Sequence, residues 1–130
     1  MYKALIILSK YDSNTLDNYS KALDIKFSKR KNPPILKIKQ NEITITFTDF
    51  EFYVVLNANA SVKAESVEIA EKFGAKLGDK AQLANSACRL EVSSGPDVDM
   101  SYFNDFITIV ESAESLGKVW AFDPDSGEFM

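Results

Sequence analysis

Pro96–Gly127, PDVDMSYFNDFITIVESAESLGKVWAFDPDSG, holds the clearest helix, the clearest buried strand and the densest run of carboxylates in the chain. Phe103, Phe106, Ile107, Val110 and Ala113 recur at three-and-four spacing, which predicts one apolar side of a helix. Asn104, Asp105, Thr108, Glu111 and Ser115 fall mostly on the other side. Asp99 stands where a carboxylate can meet the orphan N–H groups of the first turn, and Gly117 is suited to end the helix. Lys118–Asp123 then reads as a short aromatic and β-branched strand, stopped by Pro124 and the turn-forming Asp125-Ser126-Gly127. A helix followed at once by a buried strand implies helices laid on a sheet.

The rest of the chain repeats that pattern. Tyr2–Ser9 is a near-continuous apolar run of strand length, as expected for a strand covered on both sides or central in a sheet. Asp12 and Ser13 offer N-caps for a helix to about Asp24, with Leu16, Tyr19 and Leu23 on one face. Ile35–Asn57 predicts three antiparallel strands turning at Gln40-Asn41 and near Asp49. Leu36, Ile38, Ile43, Ile45, Phe47, Phe52, Val54 and Leu56 share its inner face, while Lys37, Lys39, Thr44, Thr46, Thr48, Glu51 and Tyr53 lie outside. Ser61 begins a further helix to about Phe73, ended by Gly74, with Val62, Val67, Ile69, Ala70 and Phe73 as its stripe. After a short helical piece within 75–86, Ala87–Ser93 alternates as a strand with Cys88, Leu90 and Val92 inward. The expectation is a single α+β domain over residues 1–130: a two-layer sandwich with a mostly antiparallel sheet of five to six strands and three helices on one face.

With 130 residues, 45% of them hydrophobic and nine Phe, the chain can bury a core without metals or disulfides. Its single Cys fits a reducing compartment, so a cytoplasmic location is expected. Ala4–Leu8 is too short to span a membrane. The net charge of −4 is unevenly spread. Residues 1–40 hold nine Lys/Arg against three Asp, and residues 41–130 hold six Lys/Arg against sixteen Asp/Glu. Such asymmetry marks a charged partner if the fold keeps the two parts separate in space.

The absence of His removes Ser-His and Cys-His nucleophile pairs, histidine zinc sites and the side chain best suited to proton transfer near neutrality. Cys88 reads as a buried, inert thiol. No glycine-rich dinucleotide or phosphate cradle is present. Asp97, Asp99, Asp123 and Asp125 are the remaining chemical resource, and a carboxylate-based or metal-dependent enzyme built on them is the competing reading. The Asp123–Gly127 run resembles the opening of a calcium loop, but it reaches Gly too soon and no bidentate Glu follows. No cofactor or metal is therefore expected. Trp120 reads as core. The basic residues are too few, in a chain otherwise repelling phosphate, to predict nucleic-acid binding. A third reading is a ligand-binding module on the open sheet face, which needs a concave apolar pocket there.

Asp99–Phe106, DMSYFNDF, and Phe122–Phe129, FDPDSGEF, resemble motifs of small, mostly uncharacterised bacterial proteins in which an acidic turn, a helix and a final strand close an α+β domain. In size, acidity and lack of catalytic groups the chain is also similar to immunity proteins that neutralise a bacterium's own secreted or contact-delivered toxins. That resemblance implies a cytoplasmic protein that binds and blocks another protein, and it carries over no specific residue. The leading expectation is a non-catalytic domain whose acidic surface captures a basic partner, such as a toxin domain. Its expected docking face is Asp97, Asn104, Asp105, Glu111, Glu114 and Asp125, all predicted to be exposed.

Overall fold

In β1, Lys3–Leu8, alternation sends Ala4, Ile6 and Leu8 to one side of a sheet and Leu5 and Ile7 to the other, and Ile6 and Ile7 are both fully buried. A strand apolar on both sides must lie centrally. The computed structural model, which describes residues 1–130, places β1 between β5 (Cys88–Ser94) and β6 (Val119–Asp123), antiparallel to each, with Ile6 opposite Leu90 and Ala121. The predicted meander forms as β2 (Ile35–Lys39), β3 (Glu42–Thr46) and β4 (Glu51–Asn57). A short seventh strand, β7 (Glu128–Phe129), folds back on β6. The strand order is β2-β3-β4-β5-β1-β6-β7, antiparallel throughout.

The fold is α+β with one open antiparallel sheet, as expected, and two details differ. The sheet has seven strands, because the turn closing at Gly127 (φ 74°) returns the chain for one more pairing. The helices also divide between the faces. Helices α1 (Thr15–Phe27) and α4 (Phe103–Ser112), with the 3₁₀ turn Ala113–Leu116, cover the larger core of Tyr19, Leu23, Phe52, Leu90 and Ile109. Helices α2 (Ala60–Phe73) and α3 (Lys80–Ala84) cover Ile7, Trp120 and Phe122 on the opposite face. The reason is the two-sided apolar pattern of β1 and β6, since each face so formed has to be removed from water.

The opposite-face helices stop short of β2–β4, whose outer side presents Lys37, Lys39, Thr44, Thr46, Glu51 and Tyr53 to solvent. β2 is an edge, so Ile38, expected inward, remains 43% exposed. The sequence's charge asymmetry is partly mixed in space: α1 of the basic part packs on α4 of the acidic part. The sheet edges remain distinct, with Lys37 and Lys39 on β2 and Asp123 and Glu128 beside the far edge.

Helix α4 corrects its expected phase. Its buried side is Asp105, Phe106, Ile109, Val110 and Ser112, whereas Phe103 is 41% exposed and Ile107 only half-buried. Five apolar residues in eight positions form a band wider than one face, and the sheet takes only part of it. Asp99 does not cap the helix. Its carboxylate accepts from Ser101 N at 3.3 Å, because the helix begins four residues later. Asp97 reaches closest instead, accepting from Tyr102 N at 2.8 Å.

Candidate surface for a protein partner

On α4, Phe103, Ile107 and Glu111 lie along one stripe at the margin of the core, with buried Val110 on its inner border and exposed Glu114 of the 3₁₀ turn continuing it. Val119 and Ala121 of β6 face the same way as Ala4 and Leu8 and pack, half-buried, against the larger core. β7 pairs only with the end of β6, through Phe122 and Asp123. The gap between helix and strand is a groove of about 230 Å³, lined by Ile107, Val110, Val119, Ala121 and the exposed Met130, with the exposed Glu111 and Glu114 at its rim. Ligand pockets begin at roughly 300 Å³. The groove has the volume of one or two side chains, below that usual for a metabolite pocket.

The six residues expected to form an exposed docking face are not all exposed. Asn104, Glu111, Glu114 and Asp125 are exposed, and Glu111 and Glu114 share the groove. Asp125 lies in the β6–β7 turn, its backbone N–H donating to Asp123 Oδ1 at 2.9 Å. Asp97 is half-buried, and besides Tyr102 N its Oδ2 accepts from Tyr2 Oη at 2.6 Å. Asp105, expected to be exposed, is buried. It accepts two hydrogen bonds from Arg30, Nε to Oδ1 at 2.8 Å and Nη2 to Oδ2 at 3.0 Å. A carboxylate removed from water needs a charged partner, and Arg30 supplies it.

The apolar floor could not be read from α4 alone. Val119 and Ala121 read as core partners of Trp120, and Met130 carries no local signal. One clue was present: Ile109 lies far round the helix from Phe103 and Ile107, so the apolar residues exceed one face and not all of them can meet the core.

Little catalytic chemistry gathers elsewhere. The carboxylates of Asp97, Asp99 and Asp123 each accept from a local backbone or phenol donor as above, Asp125 supplies the donor to Asp123 through its backbone N–H, and no three Asp, Glu or Cys side chains are grouped to hold a metal ion. Burial pushes the Cys88 thiol up to about 11, so it stays protonated. Trp120 is buried, and its Nε1 donates to Asp79 Oδ1 at 3.1 Å. Lys118, hydrogen-bonded to that carboxylate, holds Asp79 below the usual range, with Trp120 adding to the effect. A roomier depression of about 470 Å³ is lined mainly by polar groups, including Lys10, Asp12, Thr15 and Asn18. No helix is long and apolar enough to cross a membrane.

Comparison with protein-family models, curated proteins and solved structures finds no match to this chain.

Proposed function

We propose that this chain is a non-catalytic protein-binding domain of the immunity type, cytoplasmic, which blocks a basic toxin domain by docking it at the α4–β6 groove. The observation that carries the reading is the pairing of two exposed carboxylates, Glu111 and Glu114, with an apolar floor of side-chain size. An apolar centre within a charged rim is the usual build of a docking patch. The centre provides affinity, and the rim selects partners and speeds encounter. The empty catalytic inventory supports the same reading: there is no His, and the one thiol is held protonated.

The test is co-expression with the product of the gene directly upstream in the native genome, reading growth and complex formation by calorimetry. The wild-type chain should restore growth and bind, and the E111K/E114K variant should bind more weakly at low salt. An upstream metabolic gene whose product forms no complex at low salt would overturn the proposal.

A further inference from the structure

We propose a second docking element: the loop Pro96–Tyr102, which offers Val98 and Met100 to an apolar cleft rimmed by Lys and Arg on another protein. The proposal does not depend on the α4–β6 groove. Val98 is 96% exposed and Met100 59%, and Phe103 behind them is 41% exposed. Single apolar residues on a surface need no explanation, but three within six positions at one protruding tip form a patch.

The tip is held in shape rather than left loose. The Asp97 carboxylate takes the Tyr2 hydroxyl at 2.6 Å and the Tyr102 N–H at 2.8 Å, fastening the loop to the start of β1 and to the head of α4. Met100 N donates to Asp97 O and Phe103 N to Met100 O, each at 3.2 Å. Met100 sits at φ 57°, a region that a non-glycine residue adopts only when its surroundings enforce it. A loop fixed before contact has little ordering entropy left to lose on binding.

Charge selects the occupant. Residues 95–102 carry Asp97 and Asp99 and no Lys or Arg, and the Asp49 carboxylate accepts from the Tyr102 hydroxyl beside them. Two copies meeting tip to tip would oppose like charges, and an anionic lipid surface would repel the same carboxylates. A basic rim around an apolar floor satisfies both the aspartates and the side chains between them.

The test is an amide and methyl NMR titration with a short alternating Lys/Leu peptide, set against a Glu/Leu peptide of the same length. Saturable shifts at Val98, Met100 and Phe103 are expected with the basic peptide. V98S/M100S should keep the wild-type melting temperature and bind at least about tenfold more weakly. D99K, which leaves the apolar tip intact, should also bind more weakly. Four results each overturn the loop proposal: no shift at the loop, equal shifts with the acidic peptide, shifts confined to Glu111, Glu114 and Val119, or self-association that V98S/M100S abolishes. The third leaves the groove reading standing while removing the loop.

Discussion

Arg30 and Asp105, 75 positions apart in sequence, form a forked ion pair that ties the loop after α1 to α4. The remaining Arg30 nitrogen, Nη1, donates to the carbonyls of Lys31 at 3.0 Å and Asn32 at 2.9 Å, and the guanidinium lies 4.6 Å from the centre of the Phe47 ring. The fork is thus committed on all sides, within its own loop and to the helix. Asp105 belongs to the frame that orients α4, while Glu111 and Glu114 farther along remain exposed and outside any ion pair.

Replacing Asp105 should therefore destabilise the fold although it is a charged residue on a helix. The side chain of Asp105 is 11% exposed and that of Arg30 30%, so the pair is partly screened and falls below the penalty for a fully buried charge. D105A is expected to cost about 2 kcal/mol, the range for hydrogen bonds to charged groups, measured by urea unfolding. R30K keeps the charge but loses the two-point geometry and should cost about 1 kcal/mol. A D105A midpoint equal to wild type would show that the pair is ornamental.

Reversal of Glu111 and Glu114 should behave in the opposite way. Both are exposed and neither forms an ion pair, so E111K/E114K should leave stability within about 0.5 kcal/mol. Association with a basic partner should slow, and added salt should reproduce the slowing in the wild type, because charge at a rim acts through encounter. Stopped-flow traces at two salt concentrations check this. An unchanged on-rate would move the docking face away from the groove.

Sequence pattern reaches the strands and helices but not the partners they choose. β1 was legible as central because Ala4–Leu8 lacks any polar alternation, and the meander was legible because Thr and Lys alternate with Ile and Phe through Ile35–Asn57. β7 was not, since two residues carry no periodicity and their pairing depends on Gly127 turning the chain. There a Cβ would stand 2.9 Å from the Phe73 ring. For the docking face, Glu111 and Glu114 could be placed outside by their charge, although helical phase sets them beside Phe103 and Ile107. Asp105 could not be placed inside, because its reason for burial is Arg30, and an ion pair across 75 residues leaves no local trace. The groove floor was hidden in the same way: Val119 and Ala121 look like any inward strand residues until the helix above them proves too short of cover.

Cys88 offers a direct reading of how tightly the larger core is held. The thiol is fully buried, and that burial raises it to about 11, so at pH 8 the nucleophilic thiolate is scarce and the sulfur out of reach. Labelling by a disulfide reagent such as DTNB should be absent in the native state and appear in step with unfolding across a urea series. Fast labelling without denaturant would mean that the β1–β5 region opens locally.

Alkaline stability should report two tyrosines. Tyr19 is fully buried and its hydroxyl donates to Ile109 O at 2.6 Å, joining α1 to α4, and burial alone drives its phenol far above the ordinary range. Tyr2 is pushed up to about 12, first by burial and then by the hydrogen bond to Asp97 and the nearby negative charge. Below pH about 10 both the folded and the unfolded chain keep these protons, so the contribution to stability is complete. Above that, the unfolded chain releases protons that the folded chain retains. It then binds fewer protons than the native state, and stability must fall as pH rises toward about 12 for Tyr2 and beyond it for Tyr19. Each tyrosine so held contributes a slope of about 1.4 kcal/mol per pH unit. Urea midpoints should hold near pH 7, fall slightly from about 9 as the unfolded chain's Cys88 thiol ionises while the buried one stays protonated, and decline further from about 10 upward, with phenolate absorbance from these two residues appearing only as the chain unfolds. Y19F should lower stability at pH 7 by about 1 kcal/mol through the lost hydrogen bond. It should also make the alkaline decline shallower by one proton, leaving the parts due to Tyr2, to Cys88 and to Tyr53 and Tyr102, whose phenols their carboxylate partners Glu51 and Asp49 also hold above the ordinary range. A decline as steep in Y19F as in wild type would show that Tyr19 ionises in place, and that the contact between α1 and α4 is looser than its geometry requires.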